Sequence, residues 1–138
     1  MWRARIAGLL GGLVAVPLLA GCVPGYVRVV LQNEPGTNAN TPFYLLVRKL
    51  DAKDFAAQPY SEVAKLLDVS DPSVLRTQLL YPGRNYRFYL KHPEKESVAL
   101  YFLFTNPGGT WNLLLSRPLP MQLKASLHGN IVMRDVVK

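Results

Sequence analysis

The chain is poor in the residues that build covalent or metal-held structure. Its 138 residues include one cysteine and only two histidines, His92 and His128. A single cysteine excludes a disulfide within the chain, and this small set of ligands is insufficient for a Cys/His metal cage. The sequence therefore predicts no resident metal and no cofactor.

Motifs for catalysis are also missing. Both histidines lie in polar turns, where we expect solvated side chains, and neither Ser61 nor Ser73 stands in a G-x-S-x-G context. No glycine-rich phosphate loop follows a strand. Five acids fall within 21 residues but lack the Asp-x-Asp-x-Asp-Gly calcium pattern, which favours a solvated helix surface: Asp51, Asp54, Glu62, Asp68 and Asp71. The sequence predicts neither an enzyme nor a small-molecule substrate.

Acidic residues are outnumbered, with 9 Asp and Glu against 16 Lys and Arg and a formal net charge of +7. An excess of this sign suggests nucleic acid, but no run of Lys or Arg exceeds two residues and no helix has a basic stripe. Nucleic-acid binding is therefore not predicted.

The longest uncharged apolar stretch lies at the amino terminus. Arg3 and Arg5 precede an uncharged segment from Ile6 to Ala20. A basic start followed by a short apolar region is typical of a secretory signal peptide, whereas a bilayer-spanning helix needs about 20 apolar residues. We therefore predict that residues 1–21 are a signal peptide.

The segment ends with Leu19-Ala20-Gly21-Cys22, which resembles the lipobox of bacterial lipoproteins. The resemblance implies cleavage before Cys22 and acylation of that residue by palmitate or a similar chain; the alternative is a small buried cysteine after an ordinary signal peptide. Residues 22–25 then form the acylated cysteine and a short tether. Val23 stands where retained inner-membrane lipoproteins often have Asp, which implies an outer-membrane location facing the periplasm.

Residues 26–138 have the short, regularly spaced strands of a mainly β, two-sheet β-sandwich with about eight strands and one short extra helix. The helix is predicted at Ser61–Leu67 with Ser61 as its N-cap. Aromatic residues with core periodicity favour packing between the sheets over a stacking surface for a ligand: Tyr86, Phe88, Tyr101, Phe102, Phe104 and Trp111. The predicted strands are Tyr26–Gln32, Phe43–Leu50, Val74–Tyr81, Asn85–Lys91, Val98–Phe104, Trp111–Leu115, Met121–Leu127 and Ile131–Val137.

The connection between the first two predicted strands is dense in turn-forming residues and has no large apolar side chain. We therefore expect an exposed loop. It consists of Asn33, Glu34, Pro35, Gly36, Thr37, Asn38, Ala39, Asn40, Thr41 and Pro42.

Together with the lipobox, this loop and several later motifs resemble the TssJ family, the outer-membrane lipoproteins of type VI secretion systems. Leu80-Tyr81-Pro82-Gly83 is similar to the family's Leu-x-Pro-Gly turn, and Val98-Ala99-Leu100-Tyr101 with Trp111 to its late strand and tryptophan. The chain departs from the family pattern at Ser97, where Gly is usual, and at Phe102-Leu103 and Asn112, where Arg is usual.

The resemblance implies a transthyretin-like sandwich and a non-catalytic tether in the secretion membrane complex. It also implies that residues 33–42 bind the periplasmic domain of the inner-membrane component TssM. Two alternatives remain at this point: a pilotin-like lipoprotein, or another periplasmic β-sandwich that acts as a binding or inhibitor lipoprotein. On the sequence alone, the loop is equally compatible with an ordinary flexible connection.

Overall fold

The structure, a computed structural model, describes residues 24–135, which form eight strands in two four-stranded sheets. The strands are β1 Tyr26–Asn33, β2 Phe43–Leu50, β3 Val74–Leu80, β4 Tyr86–Lys91, β5 Ser97–Leu103, β6 Asn112–Leu115, β7 Gln122–His128 and β8 Ile131–Arg134. The predicted mainly β sandwich is thus confirmed. The predicted signal peptide and Cys22 lie outside the described residues.

The two sheets have the strand orders β4-β1-β7-β8 and β3-β2-β5-β6. Neighbouring strands are antiparallel except β1 and β7, which are parallel. Alternation places Val27, Val29 and Leu31 of β1 in the main core between the sheets, together with Phe102 of β5. β5 is buried on both faces, as its continuous apolar run predicts.

The second face of β5 is covered by the segment between β2 and β3. That segment contains α1 Ala52–Ala57, α2 Tyr60–Ala64 and a 3-10 turn at Lys65–Leu67. Val63 packs with Leu46 and Tyr101 in a smaller apolar cluster on the outer side of the sheet. We call residues 51–73 the helical segment.

The helical segment corrects three predictions. The predicted helix corresponds to α2 and its 3-10 turn, but helical structure begins at Tyr60 after Pro59, so Ser61 is not the N-cap. α1 was not predicted, because its six residues are too few to show a helical period. Tyr101 packs against the helical segment instead of between the sheets, since it lies on the outer face of β5.

Within residues 24–135, no helix is long and apolar enough to cross a membrane. In the same range, no group of three or more His, Cys, Asp or Glu side chains is placed to hold a metal ion. The acids of the helical segment are exposed or half-buried, as predicted.

Candidate functional site

The strand directions bring four connections together at one end of the sandwich, where β1, β3, β5 and β7 all finish. We call it the loop end, and the opposite end, where β1 begins, the base. The loop end consists of the β1–β2 loop with the β3–β4, β5–β6 and β7–β8 connections. The predicted partner-binding residues 33–42 therefore have neighbours that are distant in sequence.

Asn33 is the first predicted loop residue, but the structure makes it the last residue of β1, with only 1% of its surface exposed. Its side-chain Nδ2 donates a hydrogen bond to the Tyr81 carbonyl at 2.8 Å, and its backbone N–H donates to Asn85 Oδ1 at 3.2 Å. Asn33 therefore fastens the end of β1 to the β3–β4 turn.

The backbone carbonyl of Glu34 accepts several hydrogen bonds that order the start of the loop. It accepts hydrogen bonds from the Thr37 hydroxyl at 2.7 Å, the Thr37 N–H at 3.2 Å and the Gly83 N–H at 3.3 Å. The Thr37 hydroxyl also lies 3.1 Å from the Leu127 carbonyl, so it bridges the loop and β7. Thr37 is completely buried.

The middle of the loop has an unusual backbone. Gly36 has φ +85°, and Asn38, Ala39 and Asn40 have φ of +52°, +52° and +60°. A left-handed conformation is disfavoured for residues with a β-carbon, although asparagine tolerates it better than most. Three such residues in succession require support from their surroundings.

Asn38 provides much of that support and is 5% exposed. Its Oδ1 accepts the Thr105 N–H at 2.8 Å, while its Nδ2 donates to the Thr41 carbonyl at 3.0 Å. Its backbone N–H donates to the Gly129 carbonyl at 2.6 Å. One side chain therefore ties the β1–β2 loop to the β5–β6 loop, and the backbone ties it to the β7–β8 turn.

These contacts correct the expectation of a uniformly exposed loop. Three of the ten predicted residues, Asn33, Thr37 and Asn38, are buried because their polar groups bond to neighbouring connections. The exposed ones are Glu34, Pro35, Gly36, Ala39, Asn40, Thr41 and Pro42. The loop therefore has a defined conformation, with buried polar side chains on its inner side and an exposed outer surface.

Sequence reasoning missed the supporting residues on the other connections. Thr105, Asn106, Gly129 and Asn130 line, with Gly36, Asn38, Ala39 and Thr41, a shallow open cleft of about 420 Å³. Their turn-forming composition was the only signal in the sequence. Gly108 completes the packing, because a β-carbon there would lie 2.8 Å from Asn130 Oδ1.

An exposed hydrogen-bonded pair borders this surface, with Glu34 Oε2 2.6 Å from Nδ1 of His128. His128 is 73% exposed in its side chain, which confirms a solvated turn position. His92, by contrast, is half-buried. Around the cleft, the loop end offers amide, hydroxyl and backbone groups, which suit hydrogen bonding to another polypeptide.

A family model described as the IglE N-terminal domain matches residues 44–127, which is more than half of the chain. The chain belongs to this family. No curated protein matches it in sequence.

Solved structures share the fold of this IglE-family chain. The T6SS lipoprotein TssJ1 from Pseudomonas aeruginosa is 16% identical, with a TM-score of 0.60, over 84% of this chain and 100% of that one. Lip from Serratia marcescens, a membrane-bound component of the type VI secretion system, is 19% identical with a TM-score of 0.64, over 83% and 98%.

A chain from the structure of the T6SS protein TssM C-terminal domain (869-1107) from EAEC has a TM-score of 0.64 and 15% identity, over 81% of this chain and 97% of that one. The predicted TssJ-like fold is thereby confirmed.

Proposed function

We propose that this chain is a lipid-anchored, non-catalytic component of a type VI secretion membrane complex. In this proposal the exposed residues of the β1–β2 loop bind the periplasmic domain of TssM. Membership of the IglE family and the fold shared with the TssJ1 and Lip lipoproteins support the class of function.

The fixed conformation of the loop is the observation that supports the proposed partner-binding site. Its left-handed run is held by hydrogen bonds to the Thr105 N–H and the Gly129 carbonyl. A loop that is ordered before binding loses less conformational entropy in the complex, so more of its contact energy remains as affinity. The exposed apolar groups of Pro35, Ala39 and Pro42 lie among polar neighbours, a composition suited to a protein contact.

Deletion of residues 35–40 is a blunt test, because it also removes the buried Thr37 and Asn38. A sharper variant is Ala39→Arg, which puts a long cation on the exposed surface and leaves those two residues in place. The matched control is Ala52→Arg, at an exposed alanine of α1 beyond the base end of β2.

Binding to the purified periplasmic domain of TssM is measured by calorimetry. We expect Ala39→Arg to weaken it by at least about tenfold and the control to leave it unchanged, because a mismatched charge in an interface is poorly solvated. Equal affinity of Ala39→Arg and the parent chain would remove the loop from the interface.

The membrane anchor is proposed at Cys22, the lipobox cysteine. Two or three acyl chains hold a protein stably on a bilayer, whereas one holds it only marginally. Cys22→Ser is expected to lose acylation, release the protein from outer-membrane fractions and abolish secretion. Metabolic labelling with a palmitate analogue measures the first effect directly, and a labelled Cys22→Ser protein would refute the assignment.

A further inference from the structure

The outer face of the β4-β1-β7-β8 sheet carries a group of basic side chains. Register places Arg28 of β1 beside Tyr89 of β4, and Val30 beside both Arg87 and Lys124. Because side chains alternate along a strand, those that alternate with the buried core residues share the outer face. We call Arg28, Arg87, Lys91 and Lys124 the basic face; Arg87 and Lys91 are exposed, and Arg28 and Lys124 are half-buried.

Few acids lie near this face. The four strands of the sheet contain no Asp or Glu. One acid borders the face, because the Asp135 N–H donates to the Lys124 carbonyl at 2.9 Å and its carboxylate accepts a hydrogen bond from Ser126 at 3.1 Å. The helical segment, on the opposite side of the sandwich, has five acids and two lysines. Within residues 24–135 no Lys or Arg forms a salt bridge with a carboxylate, so no member of the basic face has such a partner there.

Exposed apolar and aromatic side chains accompany the cations toward the base. Tyr26 is 38% exposed, Tyr89 45% and Met121 60%. Tyr26 lies opposite Lys91, and the carbonyl of Met121 accepts the Arg28 N–H at 2.9 Å. Tyrosines beside cations are typical of surfaces at the level of lipid headgroups, where the ring meets apolar atoms and the hydroxyl meets water.

The path of the chain brings this face near a bilayer if Cys22 is acylated, a step that rests on the proposed function. Gly25 lies directly before β1 and its carbonyl accepts the His92 N–H at 2.8 Å. Gly25 is the third residue after Cys22, and a fully extended chain spans about 3.3–3.6 Å per residue. Gly25, at the base end of β1, therefore lies within about 11 Å of the acylated residue.

We propose that the basic face lies against the membrane and binds the anionic phosphate headgroups of its lipids. The acidic helical segment then faces away from the bilayer, and the β1–β2 loop extends sideways into the periplasm. Each Lys or Arg near an anionic bilayer strengthens binding by about fivefold at moderate ionic strength. The proposal requires that Arg87 and Lys124, in the third row from the base, contribute to binding.

The test uses the mature chain, residues 22–138, with Cys22→Ser, so that neither acyl chains nor the apolar segment Ile6–Ala20 contribute. The vesicles consist of phosphatidylcholine with or without phosphatidylglycerol. The face variant is Arg87→Glu with Lys124→Glu. The matched control, Lys53→Glu with Lys65→Glu in the helical segment, changes the net charge equally. None of the four side chains makes a hydrogen bond or ion pair within the described part of the chain.

We expect the face variant to bind phosphatidylglycerol vesicles at least about 20-fold more weakly than its parent, and the control to bind like the parent. Equal loss in both variants would reveal a mere net-charge effect, and no loss in the face variant would refute the orientation. If thermal unfolding shows that the double variant is unfolded, Arg87→Glu alone is used, with an expected loss of about fivefold or more.

The face variant is also tested for TssM binding, which we expect to be unchanged. If the proposed loop site is wrong, the calorimetry of Ala39→Arg shows it, and the vesicle comparison is unaffected. If the proposed role of the basic face is wrong, only the vesicle experiment shows it. The two proposals are therefore separately refutable.

Discussion

The β1–β2 loop and the helical segment are both irregular insertions in a regular sandwich, but different forces hold them. The helical segment covers Leu46 and Tyr101 with apolar side chains, and Trp111 packs against Tyr60 and Tyr101 with ring centroids 5.0 and 5.5 Å away. The loop buries hardly any apolar surface, and its order depends on hydrogen bonds made by Thr37 and Asn38.

This difference in the stabilising interactions predicts how each insertion responds to mutation. Apolar packing is distributed over many contacts and links the helical segment to the stability of the whole domain. The hydrogen bonds of the loop are few and directional, so one substitution can disorder a binding surface while both sheets remain intact. A polar contact does support the helical segment, where Arg48 donates from Nε to Ser73 Oγ at 2.9 Å and from Nη1 to Gln58.

The largest expected effect is in the apolar region. Leu46→Ala leaves a cavity beneath the helical segment, where Leu46 is fully buried, and should lower the free energy of unfolding by about 2–5 kcal/mol. Urea denaturation measures this loss. The folded fraction should bind TssM normally, and a Leu46→Ala chain with full stability would show that the segment is loosely packed.

Asn38→Ala removes the side chain that supports the left-handed run. We expect a loss of about 1–3 kcal/mol, because the Thr105 N–H loses its partner and alanine tolerates φ +52° less well than asparagine. Amide hydrogen exchange should accelerate in residues 36–41 and 105 but not in β5. Uniform acceleration would contradict the local role of this residue.

Thr37→Val is a nearly isosteric change that removes the hydroxyl bridge to the Glu34 and Leu127 carbonyls. We expect a loss of about 1 kcal/mol in the free energy of unfolding and weaker TssM binding. Thr77→Val, at an exposed threonine on β3, is the control. If both variants lose equal stability, the buried hydroxyl has no special role.

The smallest effect concerns pH and the helical segment. Partial burial raises the pKa of Tyr60, whose hydroxyl donates to the Phe104 carbonyl. A raised pKa in the folded state contributes stability below the unfolded value of about 10, and this contribution disappears as pH rises through the folded value. When the pH is raised from neutral to above about 10, the free energy of unfolding of Tyr60→Phe should therefore fall by less than that of the parent chain. The measurement is urea denaturation at a series of pH values, and an equal pH dependence in the two chains would contradict this prediction.

The strands were predictable because alternation and turn residues mark them locally. β2 has its predicted bounds, and β4 buries Phe88 and Leu90 as its pattern indicates. α1 was not predictable, since it is short and Phe55 is held by its contact with Tyr101, a residue 46 positions away. The loop was recognised as irregular, but the partners that order it come from distant connections.

The sequence by itself determined the two-sheet class and the residues of the main core, because the period of two along each strand records which face meets apolar neighbours. It also carries the prediction of acylation at Cys22. Only the tertiary structure decided that Asn33, Thr37 and Asn38 are buried and that four scattered cations share one face. Hydrogen bonds between loops and the register of strands join residues far apart in the chain, so no local pattern contains them.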